Sequence, residues 1–225
     1  MSLEIIPAIL EKDSAKLKEK IKSLKGSFSW LQLDLGDGNF VPKTFWDKEA
    51  FKKTKGSFNW EAHLMVENPR AFIDDLKEVG FKRIIFHIEP FFQVRKKTRE
   101  FDVNNLIRRI RGIEGIQERI EVGIAINPGT SPNHIVAYVE RIDEVLILSV
   151  NPGKQGQQFN PQVLAKINFL KNLKPDLKIG VDGGINDKNI REISLAGADR
   201  VYVGSYLWQN DNLERAINKL KSAIK

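Results

Sequence analysis

The chain contains no cysteine. Disulfides, thiolate zinc sites and cysteine nucleophiles are therefore excluded. It also lacks any apolar run approaching the roughly 18 residues that a membrane helix needs. The N-terminal MSLEIIPAILEKD has no basic region followed by a long apolar stretch and a small-residue cleavage site. These absences lead to the expectation of a cytoplasmic protein with no membrane partner. There is no linker, low-complexity tract or change in composition that would mark a second domain, so residues 1–225 are read as one domain. No Gly-x-Gly-x-x-Gly follows the first apolar strand, which argues against a dinucleotide-binding open sheet.

What is present is an ordinary soluble composition. The 225 residues are 41% hydrophobic and 29% charged, enough for a large single core. The net charge is +7. The basic residues are mixed with acids, as in EKDSAKLKEKIKSLK, which is the pattern of solvated helix faces. Only RKKTRE, residues 95–100, concentrates them. The expectation is no nucleic-acid partner, with the excess charge attracting small anions instead.

Short apolar strands alternate with helical patterns throughout. The strand candidates are LEIIPAIL (3–10), WLQLDL (30–35), FNWEAHLM (58–65), RIIFHI (83–88), IEVGIAI (120–126), EVLILSV (144–150), KIGVD (178–182) and RVYVG (200–204). Helices are expected over AKLKEKIKSL, capped by Asp13 or Ser14, and over NPRAFIDDLKEVG, with Pro69 near its start and Gly80 past its end. NLIRRIRGI, SPNHIVAYVERI, NPQVLAKINFLKNL, NDKNIREISLAGA and LERAINKLKSAI fit further helices, and DKEAFKKT a weaker one. Eight strands each followed by a helical stretch predict an α/β fold, a single (β/α)8 TIM barrel.

In such a barrel the chemistry gathers at the C-terminal strand ends. Those ends carry Gln32, Asp34 and Asp37, then His63 and Met65, then His87 and Glu89, then Asn127. Strand 6 ends in Ser149, Asn151, Pro152 and Gly153, strand 7 in Asp182, Gly183 and Gly184, and strand 8 in Gly204 and Ser205. Each has an ordinary alternative. A strand-end Asp caps turns and helices, a histidine between Ala62 and Leu64 packs in a core, and Met65 packs around a ligand. Asp34 and Asp182 at the same end of one barrel are the stronger pair. The loops SVNPGKQGQQF (149–159), VDGGI (181–185) and VGS (203–205) are rich in glycine. Glycine lets backbone N–H groups approach an anion, so a phosphorylated small substrate is expected there.

LDLGDGNFVP (33–42), HLMVENP (63–69), FHIEP (86–90), NPGT (127–130), SVNPGKQGQQF and VDGGI together resemble the ribulose-phosphate 3-epimerase family, from PAIL (7–10) to VGS. The resemblance implies a ribulose-phosphate-binding barrel that inverts C3 of D-ribulose 5-phosphate to give D-xylulose 5-phosphate. It implies two opposed proton-transfer acids, matched by Asp34 and Asp182. It also implies a divalent metal (zinc, iron or manganese), bound by those aspartates and two histidines, that stabilises the enediolate. His63 matches one histidine. Gln32 stands where the family places the other and would offer a carbonyl oxygen. Ala8 stands in place of a strand-1 serine. Gly36 stands in place of a methionine, and Lys154-Gln155-Gly156 in place of Phe-Gly-Gly. Phosphate and substrate contacts fall to Met65, Ser149, Asn151, Gly153, Gly156, Gly183, Gly184, Gly204 and Ser205. A homo-oligomer is expected from the same likeness. The departures leave a second reading, a non-catalytic phosphosugar-binding relative with an eroded metal site.

Overall fold

Runs such as RIIFH and EVLIL are apolar on both faces, as strands are when helices cover one side and a closed interior fills the other. The computed structural model, which describes residues 3–44, 46–93, 95–112 and 119–224, places them accordingly. The strands are β1 (Glu4–Ile9), β2 (Trp30–Gly36), β3 (Asn59–Met65), β4 (Arg83–His87), β5 (Glu121–Ile126), β6 (Glu144–Leu148), β7 (Lys178–Asp182) and β8 (Arg200–Val203). Each pairs in parallel with the next, and β8 closes on β1, with Ile5 opposite Val201. This is the expected TIM barrel, and its strand bounds lie within two residues of those read from the sequence.

Alternation along each strand divides the side chains into two shells. Leu31, Leu33 and Leu35 of β2 point outward into the main core against the helices. Ile6, Ala8, Ile85, Ala125, Leu146, Leu148 and Tyr202 form a separate inner plug. Each fully buried Leu or Ile stabilises the fold by about 1.5–3 kcal/mol. Register then decides which inward residues meet: Ala8 lies beside Gln32, Gln32 beside Glu61, Asp34 beside His63, and Asp182 beside both Leu148 and Tyr202.

The helices are α1 (Ser14–Ser23), α2 (Lys48–Thr54), α3 (Ile73–Val79), α4 (Lys96–Arg111), α5 (Leu164–Leu173), α6 (Ile190–Leu195), α7 (Ser205–Trp208) and α8 (Leu213–Ile224). Asp13 caps α1 by accepting from the N–H groups of Ala15 and Lys16 at 2.8 and 3.1 Å. Gly80 ends α3 in the left-handed conformation. The basic run 95–100 enters the first turns of α4, where Arg95, Lys96, Lys97 and Thr98 are exposed. Ile113, the last residue of the expected helix NLIRRIRGI, lies outside the described residues.

One expected helix is corrected. SPNHIVAYVERI forms only a short 3₁₀ segment, Pro132–Tyr138, between β5 and β6. Asn133 and the β-branched Ile135, Val136 and Val139 are weak helix formers. His134 is exposed there. The four-residue α7 after β8 was not anticipated.

The floor of the barrel, at the N-terminal strand ends, is an ionic layer. Arg83, Glu61 and Glu144 are all 0% exposed. The Arg83 guanidinium donates to Glu61 and, at 2.6 Å, to Glu121, while its face lies 4.2 Å over the Trp30 ring. Arg200 donates to Glu144 and, at 3.0 Å, to Glu4. Tyr202 Oη lies 2.6 Å from Glu144 and 3.0 Å from Glu61. Gly180 makes this layer possible, because a Cβ there would sit 2.4 Å from Glu144 Oε1 and 2.6 Å from the Tyr202 ring.

Candidate functional site

Asp34 and His63 occupy facing positions on adjacent parallel strands, so their side chains enter the barrel together. His63 Nδ1 lies 2.9 Å from Asp34 Oδ1 and 3.9 Å from Asp182 Oδ2. Asp182 ends β7 and reaches the same point from another side. One ligand atom from each of the three residues lies within 4.8 Å of the others, a spacing that fits a single metal ion. Two carboxylates and one imidazole are oxygen and nitrogen donors suited to a divalent transition metal.

Burial raises the pKa of the Asp182 carboxyl, and the nearby Asp34 charge raises it further, to about 7. Burial alone would lower the His63 pKa, but the hydrogen bond and charge of Asp34 outweigh it and raise it. The cluster is therefore short of positive charge, and a proton or a metal ion relieves it.

Gln32 lies two residues before Asp34 on the same inward face, fully buried. Neither its amide nitrogen nor its oxygen has a hydrogen-bond partner. Leaving such groups unmet costs about 1–3 kcal/mol each. An orphaned amide one step below the triad fits a further ligand or a bound water.

A cleft over the triad is lined by Asp34, His63, Met65, Asp182, Gly183, Gly184, Gly204 and Ser205, together with Asn151, Gly153, Lys154 and Gly156. Most of the residues read from the sequence thus converge. Gln32 and Ser149 are not on its walls. The Ser149 hydroxyl instead donates to the Gly183 carbonyl at 2.5 Å, which ties the turn after β7 to β6. Gly184, at φ +62°, is required by close approach, since a Cβ would meet Phe159 N at 2.3 Å. The loop after β6 braces itself, with Gln157 Nε2 donating to the carbonyls of Asn151 and Lys154 at 2.7 and 2.9 Å. Asp37 accepts from the N–H groups of Asn39, Phe40 and Glu67, so it holds the loops after β2 and β3 together.

The strand-4 pair His87 and Glu89 carries more than its sequence position suggested. His87 Nε2 lies 2.9 Å from His63 Nε2, and His87 Nδ1 lies 3.0 Å from Glu89 Oε2. Burial lowers the His87 pKa to about 4, so the ring is neutral. Glu89 Oε1 accepts from Asn127 N–H at 2.7 Å and from the Thr130 hydroxyl at 2.6 Å. Lys166 in turn donates to the carbonyls of Asn127, Pro128 and Thr130, which holds that loop in place. The signal in the sequence was the spacing in FHIEP, which puts His87 and Glu89 at the end of the strand beside His63.

Comparison with known proteins agrees with this geometry. A model of the ribulose-phosphate 3 epimerase family matches residues 4–208. A ribulose-phosphate 3-epimerase from Aquifex aeolicus is 33% identical over 98% of this chain and 96% of its own length. One from Schizosaccharomyces pombe is 30% identical, over 98% of this chain and 93% of its own. Among solved structures, a 3-hexulose-6-phosphate synthase from Salmonella typhimurium superposes with a TM-score of 0.68 at 15% identity, covering 99% of this chain and 98% of that one. That likeness shows the shared barrel. With the family match spanning nearly all of its length, the chain belongs to the ribulose-phosphate 3-epimerase family.

Proposed function

We propose that this chain inverts C3 of D-ribulose 5-phosphate, giving D-xylulose 5-phosphate, by proton transfer between two aspartates. The observation that carries this reading is the convergence of Asp34 and Asp182 on one point beside His63. Asp182 favours the protonated form up to about pH 7, while Asp34 faces a histidine whose pKa it raises. Asp182 thus holds a proton to give, and Asp34 is placed by geometry to reach the same carbon. The ionised carboxylate removes the C3 proton, leaving the electron pair on the substrate, and the other returns a proton to the opposite face. Two acids are needed because one cannot easily reach both faces of the same carbon. Afterwards their protonation is exchanged, so the reverse reaction starts from the opposite arrangement.

Asp34, His63 and Asp182 would hold a divalent metal, with Gln32 offering its amide oxygen. Zinc, iron and manganese all suit that donor set. When bound, such an ion polarises the substrate oxygens and stabilises the charge that develops as the proton leaves. Gly183, Gly184, Gly204 and Ser205 grip the phosphate with backbone N–H groups, Gly153, Gly156 and Asn151 close over the sugar, and Met65 packs against it. Ser149 supports this grip by holding Gly183. The non-catalytic reading is less favoured, because both acids and the histidine are present and brought together.

Among the described residues, no helix is long and apolar enough to cross a membrane. We read the protein as a cytoplasmic homo-oligomer with no nucleic-acid partner. Incubation with D-ribulose 5-phosphate in deuterated water, with Zn²⁺, Fe²⁺ or Mn²⁺, should place deuterium at C3. No incorporation with any of these metals overturns the activity for this substrate.

A further inference from the structure

We propose that Glu89 and His87 are positioning residues that set the tautomer of His63, so that the nitrogen facing Asp34 and Asp182 stays free to take a cation. This rests on the metal-assisted reading above, and it follows from counting hydrogens along one buried chain.

Glu89 Oε1 accepts a backbone N–H from Asn127 at 2.7 Å and the hydroxyl of Thr130 at 2.6 Å. A backbone N–H can only donate, so this oxygen acts as an acceptor. The other oxygen, Oε2, lies 3.0 Å from His87 Nδ1. A carboxylate oxygen at that distance requires a hydrogen on Nδ1. Neutral imidazole carries one N–H, so His87 Nε2 presents a lone pair. That atom lies 2.9 Å from His63 Nε2. One hydrogen must stand between them, and only His63 can supply it.

The remaining nitrogen of His63, Nδ1, then carries a lone pair when the ring is neutral. It is 2.9 Å from Asp34 Oδ1 and 3.9 Å from Asp182 Oδ2. A lone pair among carboxylate oxygens is tolerable only if a proton or a metal ion sits between them. His87 is 1% exposed, with its ring stacked on His63 at 5.1 Å and tilted against Phe40 at 4.7 Å. This packing keeps the chain of hydrogen bonds shielded from solvent. Metal-bound histidines generally donate their second N–H to a fixed acceptor. Here a second histidine is the acceptor, and a carboxylate fixes it.

Glu89→Gln tests the assignment with little change of shape. Its oxygen can keep the Asn127 and Thr130 donors, while its amide nitrogen now points an N–H at His87 Nδ1. That reverses the chain, leaves the His87 hydrogen on Nε2 and puts a hydrogen on His63 Nδ1. Two-bond proton–nitrogen NMR on metal-free, histidine-labelled protein should show the His87 hydrogen on Nδ1 in the wild type and on Nε2 in the variant. Zn²⁺ and Co²⁺ affinity, read by competition with a chromophoric chelator, should fall about 10–100-fold. Thr130→Val, which leaves Oε2 on His87, should keep the wild-type tautomer and lose less affinity. The same His87 tautomer in both proteins, or unchanged metal affinity in Glu89→Gln, overturns the proposal. If Glu89→Gln does not fold, the wild-type spectrum decides by itself, and a His87 hydrogen on Nε2 overturns it. If the wild type binds neither metal, the metal-assisted reading fails, while the tautomer measurement still decides the role of Glu89.

Discussion

The two ends of the barrel interior both bury charge, but they balance it differently. At the floor, Arg83 and Arg200 are shared among Glu4, Glu61, Glu121 and Glu144, and Tyr202 bridges two of those acids. At the mouth, Asp34 and Asp182 face one histidine and, among the described residues, no lysine or arginine salt bridge. The floor brings its own counter-ions, although Glu61 Oε1 and Arg83 Nη2 are left without hydrogen-bond partners. Lys154 lies on the cleft wall, but the two aspartates themselves have only His63 beside them, and a proton or metal ion from outside would balance them. In this fold the N-terminal end serves stability and the C-terminal end serves chemistry. Here the difference can be read directly from where the positive charge comes from.

Substitutions at the two ends should separate these roles. The largest effect is expected at the mouth. Asp182→Asn removes one of the two proposed proton-transfer acids and should lower kcat about 10²–10⁴-fold, with little loss of stability. The readout is deuterium exchange at C3, and wild-type exchange in the variant would remove Asp182 from the mechanism. At the floor, Arg83→Met leaves Glu61 and Glu144 without their shared guanidinium. It should cost about 3–5 kcal/mol in urea unfolding, with turnover per folded molecule nearly unchanged. Equal losses of activity and stability in both variants would erase the distinction.

A pH titration sharpens it. Burial raises both the Asp182 and Glu61 carboxyls to about 7. Between the ordinary carboxyl pKa of about 4 and these values, the folded state binds more protons than the unfolded chain. Stability of the metal-free protein should therefore fall as pH rises toward about 7, with the lowered His87 pKa offsetting about one of the two carboxyl contributions between about pH 4 and 6.5. The raised His63 pKa acts in the same direction, its contribution being lost as pH rises through that value. Asp182→Asn should remove the part of this slope that comes from the mouth and leave the part from Glu61. A slope that does not change would place the whole effect at the floor. The smallest expected effect is Gln32→His, which should tighten Zn²⁺ binding by supplying imidazole in place of an amide. Unchanged affinity would mean that residue 32 does not reach the metal.

Much of this was legible before folding. Alternating strands and helices pointed to the barrel, and Asp34, His63 and Asp182 stood at strand ends where chemistry gathers. The helix expected over SPNHIVAYVERI was misread because its apolar spacing suits a helix while its residue types do not. Ser149 was read as a phosphate contact, but folding brings its hydroxyl to the Gly183 carbonyl of a neighbouring loop. In the sequence His87 is one polar residue among several at strand ends. Its importance comes from a 2.9 Å approach to His63 across two strands, which depends on ring orientation and not on spacing along the chain.

By itself the sequence determined the repeating pattern, the residue types at each strand end and the absence of thiol chemistry. These follow from local periodicity and composition. Tertiary structure alone decided that Gln32 would be buried with both amide atoms unmet, that Arg83 would be buried between Glu61 and Glu121, and that Glu89 would reach His63 through His87. The physical reason is closure. When β8 pairs with β1, side chains from distant segments share one narrow interior, and their charges and hydrogens must be balanced there.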